Sequence, residues 1–423
     1  MDKEVLRELI REGHDEIRNA HLFNRPCHFE RNGRYVLVGI RQAGKSCMLY
    51  QRARMLLAGG HDVSEIVYIN FDDERLLGMT AAEFDEILQA HSSMYSCKPI
   101  FFFDEIQNIN GWEHFARRLA NQMYSVYITG SNARMLSRDI ATTLGGRYID
   151  MMVFPYSFSE YLLSTSAGAV PIDANEWLYG ARRGEAMKRF GEYLRWGGFP
   201  ELQLFTNKRG WLNSLYGKIL LGDIVARNGI RNHHVVRLVM KRLAENIGQS
   251  VSYNRIANLI KSTGASTSVA SVMEYVGYVK DACIVFTTEN YASKFAERES
   301  VKKHYFTDNG LLGIFLMAEN APLLENVCAT HLYRKYGGDV YYYKKNVEVD
   351  FYVPGEEMAI QVCCTVSDTS TFEREVAALR KLDAVMPLRR MLIITLDDER
   401  SVTADNGKTI EVMPAWKWLM RDF

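Results

Sequence analysis

The chain has 423 residues, more than a single ordinary hydrophobic core holds, so about two to four domains are expected. Hydrophobic residues make up 47% of the chain and charged residues 24%, as is usual for water-soluble globular proteins. Its 51 basic residues balance its 51 acidic ones, which excludes bulk charge as an argument for nucleic-acid binding but leaves a local basic face open.

Targeting and redox features point to the cytoplasm. The first 20 residues are charged and helical in pattern, without the apolar core of a signal peptide. No apolar run approaches the ~18 residues that cross a bilayer, so no membrane partner is expected. The seven cysteines are scattered and form no C-x-x-C pair, which favours reduced thiols over a zinc site or a disulfide framework.

Short apolar runs alternate with helical patterns over residues 1–160. The runs are YVLVGI, EIVYINF, PIFFFDE, SVYITGS and YIDMMVF. Because they are apolar throughout instead of alternating, they predict buried strands of a parallel sheet that helices cover on both faces. The first domain is therefore predicted to have an α/β fold.

Three further segments are predicted downstream. Residues 161–230 have the pattern of a helical lid or linker, in which WGGFP at 196–200 predicts a turn between helices. Residues 231–298 show three helical stretches and then ACIVFTTENY, the outline of a winged helix. Strand patterns return over residues 299–423 and predict a second α/β domain.

The strongest motif follows the first predicted strand and matches the phosphate-binding pattern G-x-x-x-x-G-K-[ST]. It consists of Gly39, Ile40, Arg41, Gln42, Ala43, Gly44, Lys45 and Ser46. Its glycines let the backbone approach a phosphate chain at a helix N-terminus, where Lys45 is predicted to reach the β- and γ-phosphates and Ser46 to bind Mg²⁺. Cys47 is included among the predicted nucleotide contacts, and Arg41 stays open between a phosphate contact and a structural role.

Two acidic residues end the third apolar run. Asp104 is predicted to hold Mg²⁺ through water, and Glu105 to polarise the attacking water. A strand end followed by two acids is often only a solvated strand end. Its position about 60 residues after a phosphate loop favours the catalytic interpretation.

Polar residues after the fourth and before the fifth strand complete the predicted site. Ser131 or Asn132 is expected beside the γ-phosphate, where it would orient water. Arg147 follows two glycines and is a candidate for neutralising transition-state charge, in its own site or across a subunit interface. A surface or structural arginine is the alternative.

These segments resemble the predicted AAA-superfamily ATPases of bacteria and archaea that carry the C-terminal domain of unknown function 4143. The matching stretches include GIRQAGKS, FFFDEIQNINGWEHFARRLAN, YITGSNARMLSRDIATTLGGRY, FPYSFSEY, WGGFPE, KHYFTDNGL and VEVDFYV, so the likeness covers nearly the whole chain. It implies a P-loop ATPase sheet with a helical lid, a winged-helix-like domain and a restriction-endonuclease-like C-terminal α/β domain. It also implies the same nucleotide-site residues.

The terminal domain resembles a nuclease core that has lost part of its pattern. In that core a helix Glu, a strand Asp and an E-x-K on the next strand gather Mg²⁺, and the resemblance assigns Glu325 and Asp350 to the first two places. Gln361 stands where Glu is expected and offers an oxygen without charge, and Cys363 stands where Lys is expected. A degenerate scaffold that binds DNA or a protein is therefore favoured over an active nuclease, with Lys344 and Lys345 as open substitutes in space.

The sequence thus predicts an ATPase that uses ATP and Mg²⁺ and couples its nucleotide state to C-terminal DNA- or protein-binding modules. Two alternatives stay open. One is a nucleotide-binding scaffold that hydrolyses slowly and acts by association with a protein, and the less favoured one is an ATP-controlled nuclease. A homo-oligomer is also possible, since Arg147 could act across an interface.

Overall fold

The computed structural model describes residues 1–31, 33–136, 142–166, 174–316, 320–403 and 407–421. The chain divides into two compact units. The first comprises Met1–Val153 with Asp281–Cys283, and the second comprises Phe154–Lys280 with Ile284–Phe423. None of the helices in the described part of the chain combines the length and the apolar character that a bilayer crossing requires.

The first unit is built on a parallel sheet. Within the described residues it has five strands, β1 (Tyr35–Val38), β2 (Ile66–Asn70), β3 (Ile100–Asp104), β4 (Val126–Gly130) and β5 (Ile149–Met152). They lie in the order β2-β3-β4-β1-β5, and every neighbouring pair runs parallel. The predicted α/β fold is confirmed, although β5 lies at an edge and is partly exposed.

The helices of the first unit begin where the sequence signals them. They are α1 (Lys3–Asn19), α2 (Lys45–Ala58), α3 (Phe84–Met94) and α4 (Trp112–Asn121). The side chain of Asp2 caps α1 by accepting a hydrogen bond from the amide of Glu4, and Gly59 ends α2. Each of these helices buries one side, and that of α2 includes the polar side chains of Gln51 and Arg52.

The second unit combines helices with a mixed sheet. Its helices are α5 (Phe158–Thr165), α6 (Ala174–Leu178), α7 (Arg183–Trp196), α8 (Lys208–Lys218), a π-helical turn (Ile219–Ala226), α9 (His233–Glu245), α10 (Tyr253–Lys261), α11 (Val269–Asp281), α12 (Phe295–Ser300), α13 (Asn309–Leu312), α14 (Asn320–Tyr336), α15 (Thr369–Asp383) and α16 (Ala415–Trp418). Its strands are β6 (Val251–Ser252), β7 (Val285–Asn290), β8 (Val301–Phe306), β9 (Tyr341–Lys344), β10 (Glu348–Val353), β11 (Met358–Val362), β12 (Arg390–Thr395), β13 (Arg400–Thr403) and β14 (Thr409–Pro414). A second sheet-containing α/β region is therefore confirmed.

The strands of this unit form one sheet across a predicted domain boundary. Among the described residues its order is β13-β14-β12-β11-β10-β9-β7-β8-β6. ACIVFTTENY forms the single strand β7, which pairs antiparallel with β8, so the predicted division between residues 298 and 299 separates two paired strands. Strands β13 and β14 lie in a segment for which no strand was predicted. The four-domain division itself stays a prediction.

The WGGFP segment is a turn, as predicted, and it is also tied to a distant loop within the same unit. The amide of Gly198 donates to Asp308 Oδ2 at 2.7 Å, and the amide of Gly310 donates to Asp308 Oδ1 at the same distance. Gly197 has φ +75°, and a Cβ there would lie 1.9 Å from Asp308 Oδ1. Burial raises the pKa of Asp308 to about 6, although these backbone hydrogen bonds oppose the rise.

Replacing Gly197 by Ala tests this contact. The new Cβ meets the buried carboxylate in a backbone conformation that L-residues rarely adopt, so the free energy of unfolding should fall by about 2–4 kcal/mol in chemical denaturation. Gly191→Ala is the control, because Gly191 lies within α7 with open space around it and should gain about 0.5–1 kcal/mol. Equal effects of the two substitutions would contradict the assignment.

Candidate functional site

The candidate phosphate loop joins β1 to α2 in a geometry that only glycine permits at two positions. A Cβ on Gly39 would lie 1.9 Å from the carbonyl oxygen of Val153, so this position packs directly against the backbone that follows β5. Gly44 has φ +96° and stands immediately before the first residue of α2. The loop therefore ends at a helix N-terminus, where free backbone amides favour an anion.

Lys45 is the first residue of α2, and its side chain turns back into the loop. Its ammonium group donates to the carbonyl oxygens of Gly39 at 3.1 Å and Ile40 at 3.2 Å. It also lies 3.6 Å from Glu105 Oε1. With only 4% of its side chain exposed, this charge depends on the three oxygens around it.

Asp104 ends β3 and is buried. Its Oδ2 accepts a hydrogen bond from the hydroxyl of Tyr68 at 2.9 Å, and its Oδ1 accepts one from the hydroxyl of Thr129. Burial raises its pKa, and hydrogen bonds from Ser46 and Thr129 oppose that rise. Ser46 and Asp104, which were both predicted to serve the metal ion, are thus brought into contact.

Glu105 begins the turn after β3 in a left-handed backbone conformation with φ +51°. Its amide donates to Thr129 Oγ1 at 3.0 Å, and its carboxylate accepts from the side chain of Gln107. Burial tends to raise the pKa of Glu105, but the charge of Lys45 and the Gln107 hydrogen bond outweigh it and hold the pKa below its usual value. The carboxylate is therefore ionised at neutral pH.

The two polar residues after β4 differ in position. Ser131 is buried, and its Oγ lies 3.5 Å from Gln107 Nε2, in the group that surrounds Glu105. Asn132 is half-buried and accepts from the amide of Arg134 at 2.9 Å, so it caps the following turn. Of the predicted pair, Ser131 is the one that the structure brings to Glu105.

The other predicted loop residues surround this group. Ile40 and Ala43 are buried, and the carbonyl oxygen of Ala43 accepts from Arg25 Nη1 at 3.2 Å. The charge of Arg41 lowers the pKa of Glu105, so the positive charge of Arg41 acts on this carboxylate. Gln42 and Cys47 are exposed.

Arg147 lies at the opposite end of the strands from the loop. Tyr35 pairs with Ile149 in the parallel register of β1 and β5, so Arg147 lies level with the start of β1. Since a strand advances about 3.3 Å per residue, it is roughly 15–20 Å from Gly39 along the strands. It is exposed and donates to the carbonyl oxygen of Gly145 at 3.2 Å. Of the roles left open for Arg147, action in its own site does not fit this position, while a role across an interface and a structural role both stay open.

Three residues of the site were missed by the sequence analysis. Tyr68 and Thr129 hold the carboxylate of Asp104, and Gln107 holds that of Glu105. Tyr68 lies in β2 and Thr129 in β4, the two strands that flank β3. A polar side chain near the end of an otherwise apolar strand was the available signal, but strand order is needed to use it.

The residues of the nuclease-like pattern converge in part. Glu325, Asp350 and Gln361 line one cavity of about 550 Å³ in the second unit. Burial raises the pKa of Glu325, against the opposing charge of Lys303. Cys363 packs beside an apolar cluster, and burial raises the pKa of its thiol to about 12. Lys344 pairs with Glu348 at 2.7 Å, and it is Lys303 that lies within 4 Å of Glu325 and Asp350.

Comparisons with known proteins agree with this geometry. Residues 31–162 match the sequence model of an AAA domain, and residues 187–321 match a domain of unknown function, DUF8612. The uncharacterized protein MJ1544 of Methanocaldococcus jannaschii is 31% identical over 435 residues, which cover 99% of this chain and 96% of that protein. An uncharacterized protein of Haemophilus influenzae is 30% identical over 314 residues, 72% of this chain and 76% of that protein. This chain belongs to their family.

This family member carries an AAA-type P-loop ATPase domain, which supports nucleotide binding at the loop. The predicted identity of the C-terminal part with domain of unknown function 4143 is not confirmed, because the matching model is a different one. The Walker-type ATPase PABY2304 of Pyrococcus abyssi is similar in structure, with 14% identity and a TM-score of 0.41 over 74% of this chain and 95% of that one.

Tyr68→Phe tests the role of the tyrosine in this family member. The ring is kept, but the hydrogen bond that the hydroxyl donates to the buried Asp104 carboxylate and the one that it accepts from Tyr50 are lost, so the free energy of unfolding should fall by about 1–2 kcal/mol in urea denaturation. Tyr124→Phe is the control, because that ring packs on Phe101 and its stability should change by less than about 0.5 kcal/mol. Equal changes would contradict the hydrogen bond to Asp104.

Proposed function

We propose that this protein binds ATP with Mg²⁺ at the loop after β1 and hydrolyses it. The observation that carries the proposal is the buried pair formed by Lys45 and Glu105, which lies beside the hydrogen-bonded Ser46 and Asp104. Four groups with different roles in phosphoryl transfer therefore meet at the carboxyl ends of β1 and β3. A loop with only structural purposes has no need of this combination.

The partners of Lys45 are suited to exchange for phosphate. Two of its three contacts are neutral carbonyl oxygens of its own loop, which balance a buried ammonium only partly. The terminal phosphates of ATP would supply charged oxygens instead, in a place that loop amides and the start of α2 already favour for an anion. The loop thus gains electrostatic stabilisation when nucleotide binds.

Ser46 and Asp104 fit a magnesium ion. Both offer the oxygen ligands that Mg²⁺ prefers, and the described hydrogen bonds of Asp104 come from neutral hydroxyl groups, which leave its charge to be balanced. When bound, Mg²⁺ would neutralise charge on the phosphates during transfer. Tyr68 and Thr129 hold the Asp104 carboxylate in one orientation.

Glu105 is suited to act as the base. Its lowered pKa keeps it ionised at neutral pH, so it can accept a proton from water. Gln107 contacts both Glu105 and Ser131, so Gln107 and Ser131 are suited to orient the Glu105 carboxylate. If the ammonium group of Lys45 turned from Glu105 to the phosphates, it would free the carboxylate oxygen of Glu105 that it now faces.

For the second unit we propose that nucleotide state is coupled to a DNA- or protein-binding module. The order α9, β6, α10, α11, β7, β8, with β8 paired to both β6 and β7, supports a winged-helix-like module over roughly residues 231–306. Its polar segment before α11 is suited to phosphate or base contacts, and a protein partner is the alternative.

For Arg147, the position in the first unit favours action in hydrolysis on a neighbouring copy of the chain.

Phosphate release by the wild-type protein and its variants tests hydrolysis. Glu105→Gln should retain ATP binding and lose about 10²–10⁴-fold in kcat, because the base is removed and the shape is kept. Lys45→Ala should weaken ATP binding by at least about tenfold, since the main cation for the phosphates is lost. Glu201→Gln and Lys3→Ala change exposed charges and serve as controls. Wild type no faster than Glu105→Gln would contradict the proposal and support the slowly hydrolysing scaffold.

Fluorescence anisotropy with a labelled DNA duplex tests the coupling. In the Glu105→Gln protein, which should hold ATP without turnover, the dissociation constant for DNA should change by at least about fivefold when ATP is added. The Lys45→Ala protein should show no such change, because it lacks bound nucleotide. Binding without any dependence on nucleotide contradicts the coupling, and no binding at any salt concentration supports a protein partner.

A further inference from the structure

The second unit contains a lysine whose charge is buried completely. Lys303 lies in β8 with no exposed side-chain surface, and its ammonium group is surrounded by three carboxylates. Its Nζ lies 3.5 Å from Asp350 Oδ1, 3.6 Å from Glu325 Oε1 and 3.6 Å from Glu348 Oε1. These acids come from α14 and from β10, so one ammonium joins three elements of the unit.

The nuclease-like pattern implies a divalent metal ion among Glu325, Asp350, Gln361 and Cys363, and the side chains do not fit one. Gln361 Oε1 accepts from the amide of Asp350 at 2.9 Å, while Gln361 Nε2 donates to the carbonyl oxygen of Glu348 at 3.1 Å. Its amide is therefore used to join β10 to β11. In this arrangement the amide oxygen of Gln361 is therefore already engaged, in agreement with its place in a degenerate pattern.

The two acids of the pattern are also engaged. Asp350 Oδ2 accepts from the amide of Val362 at 2.9 Å, and its Oδ1 faces Lys303. Glu325 Oε1 accepts from the hydroxyl of Tyr305 at 2.8 Å. Across the residues that the structure describes, no three His, Cys, Asp or Glu side chains are arranged to hold a metal ion.

A metal ion and the ammonium group of Lys303 cannot occupy this place together, for reasons of geometry and charge. A divalent ion bound by these carboxylates would have to lie about 2.0–2.6 Å from their oxygens. Those oxygens already converge on Nζ, so the ion would stand close to a positive charge in a buried setting where repulsion is strong.

We infer that the ammonium group of Lys303 is the resident cation of this cluster and stands in the place where the nuclease-like pattern expects a metal ion. Cys363 stands where the pattern has a lysine that assists the metal ion, and Lys303 does not take over that role. Lys303 neutralises the carboxylates itself and ties β8 to β10 and α14. The charge of the acids that line the cavity is thus satisfied from within the unit, and this inference does not depend on ATP hydrolysis.

Manganese binding to the full-length, nucleotide-free protein tests the inference by electron paramagnetic resonance. All proteins carry Asp104→Asn, so that the nucleotide site contributes no metal. The Lys303→Met protein should bind Mn²⁺ at least about tenfold more tightly than its parent, because three carboxylates lose their cation. Adding Asp350→Asn should abolish the gain. Lys344→Met is the matched control, since it removes a lysine from Glu348 but leaves Lys303 in place, and it should show no gain.

Two results would overturn the inference. One is Mn²⁺ binding by the parent that Asp350→Asn removes, which would show a working metal site beside Lys303. The other is a folded Lys303→Met protein, with circular dichroism and a melting transition like those of the parent, that gains no binding. If Lys303→Met does not fold, Lys303→Gln is used, and the comparison of the parent with Asp350→Asn decides without any change at Lys303.

Discussion

A buried ammonium group has to be surrounded by oxygen atoms, because a charge in the interior of a protein is costly without partners. Lys45 in the first unit and Lys303 in the second are two such groups. Lys45 has two backbone carbonyls and one carboxylate, whereas Lys303 has three carboxylates. The partners of Lys45 come largely from its own loop and are weak, so a triphosphate can replace them. The partners of Lys303 are strong and belong to separate elements, so they fix the fold around it. The same residue type therefore marks a ligand site in one unit and a closed site in the other.

The first unit places its chemistry at one edge of the sheet. β3 delivers Asp104 and Glu105 beside the loop that β1 delivers, and the flanking strands contribute the hydroxyls that orient Asp104. The pKa values of the two acids shift in opposite directions because their partners differ: burial dominates at Asp104 and raises its pKa, whereas Lys45 and Gln107 prevail at Glu105 and lower its pKa. This difference depends on Lys45, whose ammonium group lies 3.6 Å from Glu105 Oε1.

The sequence predicted what depends on local spacing. The loop motif, the apolar parallel strands and the acids at the end of β3 lie within short stretches whose pattern is tied directly to backbone geometry. It could not predict contacts between strands whose order is set by the whole sheet, which is why Tyr68 and Thr129 were missed. Lys303 was missed for the same reason, since it lies some distance along the chain from the acids that it contacts. The pairing of β7 with β8 across the predicted boundary at residue 298 was missed because a change of pattern from helix to strand gives no information on which strands are neighbours.

The most direct test of the nucleotide site is a crystal structure with a non-hydrolysable ATP analogue and Mg²⁺. The account predicts that the terminal phosphate contacts Lys45, that the metal ion lies at Ser46 and Asp104, and that Glu105 faces the terminal phosphate after Lys45 has left it. A triphosphate bound elsewhere, or one bound at the loop while Lys45 keeps its contacts with Gly39, Ile40 and Glu105, would contradict it.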